Sequence, residues 1–333
     1  MLHVPGADPM NRRSLLGGAA LAATTALSIR QFRGYRIPHR APRVSHVAIL
    51  GCDRYEQTPQ VVQDGLRLLA LSVNEKRVVL KPNLVEYSAA APINTHPVLI
   101  ASVIDVLYRH GAASVTVAEG PGHVRDTDLL LFESGLQAQL DSVGRARFVD
   151  LNFDSVARVE LKTGLTQFEK IWLPTTILSA DVVISMPKIK THHWSGVTLS
   201  LKNLFGIVPG SIYGWPKNVL HWEGIDNSIV ELAAVVPVHF VIADGIEAME
   251  GNGPLHGPMK HLGCLVFADD PVAADATCCR LIGIDPARVP HLRVASPIGN
   301  MDTVRIEQRA ERIEGMRQPF ELLPEFSYLR ERP

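Results

Sequence analysis

The chain has 333 residues, 46% of them hydrophobic and 20% charged, enough to bury the core of one large domain or of two lobes. A formal net charge of −1 and the absence of long Lys or Arg runs deny it the basic field through which proteins hold nucleic-acid phosphates, so no nucleic-acid partner is expected. Its four cysteines, at 52, 264, 278 and 279, lack the paired spacing of a zinc or iron–sulfur site and require no disulfide.

At the N-terminus, Asn11, Arg12, Arg13, Ser14, Leu15 and Leu16 precede a Gly/Ala/Leu segment that ends at Leu27. This is the pattern of a twin-arginine-type export signal, which engages the twin-arginine export machinery. The apolar run is about half of the roughly 20 residues that a spanning helix needs, so the pattern predicts a cleaved leader and no stable transmembrane anchor. Cleavage fits Ala26, Leu27 and Ser28, and Met10 offers an alternative start. A disordered amphipathic N-terminus is the plainer alternative. The expected organisation is a signal over 1–28, a linker over 29–43, one α/β domain with room for a second lobe over 44–300, and a C-terminal extension over 301–333. The mature protein is then periplasmic or extracellular.

From Val44 onward, short β-branched runs alternate with amphipathic stretches of helical length. That alternation predicts α/β architecture, a mainly parallel open sheet with helices on both faces, and leaves room for a second, smaller lobe. Strands are expected at 47–50, 77–80 and 114–118, with helices from Thr58 to about Leu71 and from Pro97 to Gly111. Thr95 or His96 is placed to cap the second helix, with Pro97 in its first turn. Residues 156–161 and 170–173 read as a β-pair, a cover or small lobe. A strand at 181–185 leads to Pro187, and a helix is expected from Val197 on the period of positions 197, 201, 204 and 205. A helix over 227–236, strands over 239–243 and 262–268, and a helix capped by Asp270 complete the pattern, with a charged tail on the surface beyond Met301.

The C-terminal ends of parallel strands share one edge of a sheet, where open α/β folds bind ligands. Four such ends carry polar groups: Lys81 with Asn83; Glu119 with His123; Lys188 with Lys190 and His192; and Asp244 with Glu250. Lys188 and Lys190 share a face if the strand continues beyond Pro187, and they are then placed to clamp one carboxylate or phosphate as point charges. Lys202 and Asn203 add donors from the next helix, or else Lys202 is only its exposed side. His192 is a candidate acid–base group or metal ligand, whereas His192 and His193 together are expected on opposite faces of a strand. His221 belongs to a loop over the site. Asp244, Glu250 and the Gly-rich turn with Asn252 and Gly253 suit either a hard cation or an anion, or form only a tight turn. Asp275 lies on the core side of its helix, where a carboxylate needs partners. Cys52 is a nucleophile only if its pKa is depressed.

Seven segments together resemble the domain-of-unknown-function family 362: Lys81-Pro82-Asn83-Leu84, Asn94-Thr95-His96-Pro97, Ala118-Glu119-Gly120-Pro121-Gly122, Met186-Pro187-Lys188-Ile189-Lys190-Thr191-His192, Ser200-Leu201-Lys202-Asn203-Leu204-Phe205-Gly206, Met249-Glu250-Gly251-Asn252-Gly253-Pro254 and Asp270-Pro271-Val272-Ala273-Ala274-Asp275. They occur in that order over about residues 46 to 300. The resemblance marks Lys81, Asn83, Thr95, His96, Glu119, Lys188, Lys190, His192, Lys202, Asn203, Glu250, Asn252 and Asp275 as candidate site residues. Near Ile298 to Met301 the chain departs from the family's Gly-rich end. Many members carry an added ferredoxin-like module, which implies a separate redox partner for a chain without one. The strand-end layout is also similar to the nickel-pincer lactate racemase group, which implies a two-lobed α/β enzyme acting on a small carboxylate.

The resulting expectation is an exported α/β enzyme with a lysine-rich cleft for a small carboxylate or phosphate. In it, Lys188, Lys190, His192, Glu119 and Asp275 take the acid–base and orienting roles, and a cofactor of unknown identity completes the site. A non-catalytic anion-binding protein and an accessory protein of a redox system are the alternatives.

Overall fold

The structure is a computed structural model, and it describes residues 44–122 and 126–331. The expected signal and linker, and His123, lie outside the described residues. The strands are β1 (Ser45–Gly51), β2 (Arg77–Pro82), β3 (Ser114–Glu119), β4 (Arg147–Asp150), β5 (Val156–Glu160), β6 (Lys170–Pro174), β7 (Val182–Met186), β8 (Lys188–His192), β9 (Gly196–Thr198), β10 (Phe240–Met249), β11 (Met259–Ala268) and β12 (Ile306–Ala310).

The main sheet runs β12-β1-β11-β10-β7-β2-β3-β4, with β8 and β9 branching from β10. Every neighbouring pair along that path is parallel except those made by β11, which is antiparallel to both β1 and β10. The sheet is α/β and mostly parallel, with helices on both faces. Buried on two sides, its central strands are continuous apolar runs such as Val182, Val183 and Ile184. The period of two assigns each residue a face. Val78 and Leu80 of β2 pack with Leu66, Leu99 and Ile104 from the helices Thr58–Leu68 and Pro97–Arg109. Val79, between them, joins Ile229, Ala273 and Cys278 from the helices Ile225–Val235 and Pro271–Leu281. Each buried Val, Leu or Ile contributes about 1.5–3 kcal/mol.

Helix ends follow their capping chemistry. His96 Nδ1 accepts the Val98 N–H at 3.2 Å, Pro97 fills the first turn, and the chain leaves at Gly111 with φ of +86°. Asp270 Oδ1 accepts the Val272 N–H at 2.9 Å at the start of Pro271–Leu281.

Three local expectations change. The segment at Val197 is a strand, β9 hydrogen-bonded to β8, and the helix starts only at Ser200. Its apolar spacing fits a short strand followed by a turn of helix as well as one longer helix. The β5–β6 pair forms as expected, but Ile171 and Leu173 are buried in the same core as the main sheet. The charged tail lies mostly on the surface, as expected, but it does more than wrap it. It supplies β12, parallel to β1, and buries Phe320 and Leu329 completely. Its charges suit an edge strand, where Glu307 faces water and the half-buried Arg309 donates to the Leu68 carbonyl.

Candidate active site

The strand ends meet where β2, β3 and β7 finish side by side, with Lys81 paired in register with Ser185. Lys81 Nζ donates to Glu119 Oε2 at 2.5 Å, to Asn203 Oδ1 at 2.8 Å and to the Pro82 carbonyl at 3.0 Å. Both members of the ion pair are 1% exposed. A buried pair is tolerated only when its remaining valences are filled, and here they are. Glu119 also accepts the N–H groups of Leu84 and Gly120, while Asn203 Nδ2 donates to the Lys81 carbonyl and to Ser185 Oγ. Burial lowers the Lys81 pKa, and the Glu119 charge opposes that shift.

Beside this pair opens a cavity of about 220 Å³ whose wall carries Lys81, Glu119, Lys190, Lys202, Lys217, His192, His193 and His221. Lys190 is fully buried at the middle of β8, and its Nζ donates to the Ile93 carbonyl at 2.6 Å. Lys217 is 2% exposed, and its Nζ donates to the carbonyls of Gly120 (2.7 Å) and Phe205 (3.1 Å). Lys202, part-exposed in the cavity, holds its Nζ 3.7 Å from the centre of the Phe205 ring, a cation–π contact. Among the described residues, none of these three lysines forms an ion pair with a carboxylate.

Burial, and then mutual repulsion, depress the charged forms. Lys202 is pushed down to about 7 by burial and by Lys217 and Lys81. Lys217 also falls to about 7, through burial and Lys81 against the pull of Glu119. Lys190 lies well below the usual ammonium range through burial, Lys188 and Lys202. Burial and Lys202 hold His192 far below the usual imidazole range and take His221 to about 4. Both rings are therefore neutral at pH 7. His192 Nδ1 accepts the N–H groups of Trp194 (2.9 Å) and Ser195 (3.3 Å), which leaves the proton on Nε2. Two buried polar atoms of the wall, Asn83 Oδ1 and Thr198 Oγ1, have no hydrogen-bond partner among the described residues. Such orphans are costly unless something enters to meet them.

Of the expected site residues, Lys81, Asn83, Glu119, Lys190, His192, Lys202 and Asn203 come together at this cavity. Lys188 does not. Across β10 it donates to Asp244 Oδ2 at 2.8 Å and to Tyr55 Oη at 3.0 Å, so the two strand lysines cannot clamp one anion. Asp244 is fully buried and also accepts the His96 N–H at 3.0 Å. His96 is a helix cap stacked on Tyr55 at 3.6 Å. Thr95 donates to the Met186 carbonyl and accepts the Asn83 N–H, which makes it a brace for the loop after β2.

Asp275 lies outside the cavity as well. Its two oxygens accept the N–H groups of Ser200 (2.7 Å) and Leu201 (2.9 Å), and burial lifts its pKa to about 8 against those bonds. It thus anchors the turn that carries Lys202 and Asn203. Glu250 accepts the Glu321 N–H, Asn252 is exposed, and Gly253 offers its carbonyl to His193 N and Nδ1. The metal candidates Asp244, Glu250 and His192 are not brought together. Among the described residues no group of three or more His, Cys, Asp or Glu could hold an ion. Burial and Asp244 raise Cys52 to about 11, the reverse of an activated thiol. The adjacent histidines both reach the cavity, their rings 5.0 Å apart, because β8 ends at His192 and His193 is already in the turn.

Sequence reasoning missed Lys217. It stands in a left-handed conformation (φ +67°) within a Gly/Pro turn. The sequence shows only a lysine after Gly214, Trp215 and Pro216, which marks a turn and not the direction of its side chain.

The model of the family described as Domain of unknown function (DUF362) matches residues 78–280. A thylakoid-associated protein of Synechocystis sp. is 28% identical over 230 residues, 67% of this chain and 68% of that one. Among solved structures, the lactate racemase apoprotein of Thermoanaerobacterium thermosaccharolyticum aligns with a TM-score of 0.46 and 14% identity, over 73% of this chain and 58% of that one. A protein from Thermotoga maritima aligns with a TM-score of 0.41 and 12% identity, over 70% of this chain and 60% of that one. The chain therefore spans less than two thirds of either solved protein. No helix of the described residues is long and apolar enough to cross a membrane.

Proposed function

We propose that this chain, which belongs to the DUF362 family, is an enzyme that binds a small carboxylate or phosphate in the lysine-walled cavity and moves protons on it. The observation that carries the reading is that Lys190, Lys202 and Lys217 enter one cavity without a carboxylate partner among the described residues, beside the already neutralised Lys81–Glu119 pair. Buried cations that repel one another are a standing cost, and an anion relieves both the desolvation and the repulsion.

The same groups have acid–base capacity. With pKa values of about 7, Lys202 and Lys217 each exist in both protonation states near neutral pH, so one can accept a proton while the other donates. Neutral His192, with its proton on Nε2, is a hydrogen-bond donor that adds no charge. Lys190, its charged form disfavoured by burial and by Lys188 and Lys202, supplies a positioned N–H donor toward charge that develops on a bound oxygen. Asn83 Oδ1 favours a ligand that also donates a hydrogen bond.

The proposal includes action outside the cytoplasm. Arg12 and Arg13 before an apolar segment support export, and one relative is named for its association with thylakoids.

Purification of the untagged protein under native conditions, with mass spectrometry of what it releases, tests the reading. A stoichiometric small acid, lost from Lys190→Ala and Lys217→Ala proteins, supports it. A stoichiometric cation with no acid contradicts it. Incubating the released acid with the protein in D2O then tests catalysis: incorporation of deuterium at carbon or phosphoryl turnover supports an enzyme, and neither leaves a non-catalytic anion-binding protein.

A further inference from the structure

The cavity is graded from floor to mouth. At the floor Lys81, Lys190 and Lys217 are at most 2% exposed, whereas Trp194, which lines the same cavity, is 56% exposed. Trp194 is not a loose surface side chain. Its backbone N–H is held by His192 Nδ1, and its indole meets the His221 ring edge-on at 4.9 Å and 63°. His221 in turn packs edge-on against Phe205 at 5.4 Å. An indole held by ring contacts to His193 and His221, and still more than half exposed where it lines a cationic pocket, is a stacking platform. The same lining includes the apolar side chains Leu84, Val85 and Leu255. Pockets of this build take an apolar body and use a few polar groups to fix one end.

We infer that the ligand is an aryl or heteroaryl carboxylate or phosphate, with its anionic group on the lysines and its ring against Trp194. This rests on the anion-binding reading above and deepens it to a substrate class. A bare inorganic anion fills only the floor and leaves the indole face and the apolar wall in water.

The test is a calorimetric comparison of benzoate with acetate, and of phenyl phosphate with inorganic phosphate, on the whole chain. Stacking on one indole makes each aryl ligand about tenfold tighter than its non-aryl partner. In Trp194→Ala that ratio falls to about one, Trp194→Phe restores part of it, and Trp222→Ala, altering an exposed tryptophan that does not line the cavity, leaves it unchanged. Equal affinities of aryl and non-aryl anions in the unaltered protein overturn the aryl inference and leave the anion site standing. An aryl preference that survives Trp194→Ala also overturns it. If none of the four anions binds, the anion-binding reading itself fails.

Discussion

A methyl group placed on Gly206 would stand 1.7 Å from Glu119 Oε1 and 2.6 Å from Lys81 Nζ. The glycine that ends the Asn203-Leu204-Phe205-Gly206 segment is thus the residue that lets the buried ion pair approach the cavity wall. Gly206→Ala is expected to push the carboxylate off its lysine and to destabilise the protein by about 1–3 kcal/mol as an overpacking change. Denaturant unfolding checks this.

Asp275, which does not line the cavity, holds the Ser200 and Leu201 N–H groups. Asp275→Ala leaves two buried N–H groups without acceptors and should cost about 2–4 kcal/mol. A finer test is pH. The folded carboxyl titrates at about 8, against 3.8 for the free group. A folded acid with a raised pKa binds more protons than the unfolded chain between about pH 4 and 8, so its contribution to stability declines across that window. Measured against the wild type, Asp275→Asn should therefore become progressively more favourable as pH rises from 4 to 8.

Lys188 was expected beside Lys190 at the ligand, and its partners remove it from that role. Lys188→Ala strands the buried Asp244 carboxylate, which predicts a loss of about 3–5 kcal/mol. Lys190→Ala should be milder in stability and severe in anion affinity. Thermal unfolding and anion titration of the two variants separate the roles.

Much of this was legible in the sequence. The strand ends at Lys81, Glu119 and Lys190 follow from the alternation of β-branched runs with amphipathic helices, because parallel topology puts such ends on one edge. Asp275 announced itself as a carboxylate within an apolar stripe. Its purpose did not, since the N–H groups it holds belong to a helix whose start sits at Ser200 and not Val197. Lys188 was misplaced because its partner Asp244 lies 56 residues away, across a strand pairing that no local pattern encodes. Lys217 sits in a turn, where side-chain direction has no period to read.

Lys202 and Lys217 also make the ligand-free protein sensitive to pH. Their folded values of about 7 lie below the ordinary lysine value of 10.5, so the unfolded chain binds more protons between those values. Their contribution to stability consequently rises as pH increases from about 7 to 10.5, and the penalty is complete below 7. Lys202→Met and Lys217→Met should flatten this rise in a series of melts. Added anion should raise the melting temperature more at pH 6.5 than at pH 9.

The most direct test of the account is a calorimetric titration of the protein with a small carboxylate, acetate or benzoate, at pH 8 in two buffers of different ionisation enthalpy. At that pH the cavity lysines near 7 are mostly neutral, and an anion binds their protonated form, so binding should draw protons from the buffer. The predicted result is net proton uptake that disappears, together with affinity, when Lys202 and Lys217 are both replaced by Met. Binding without proton uptake, or no binding of either carboxylate, would contradict it.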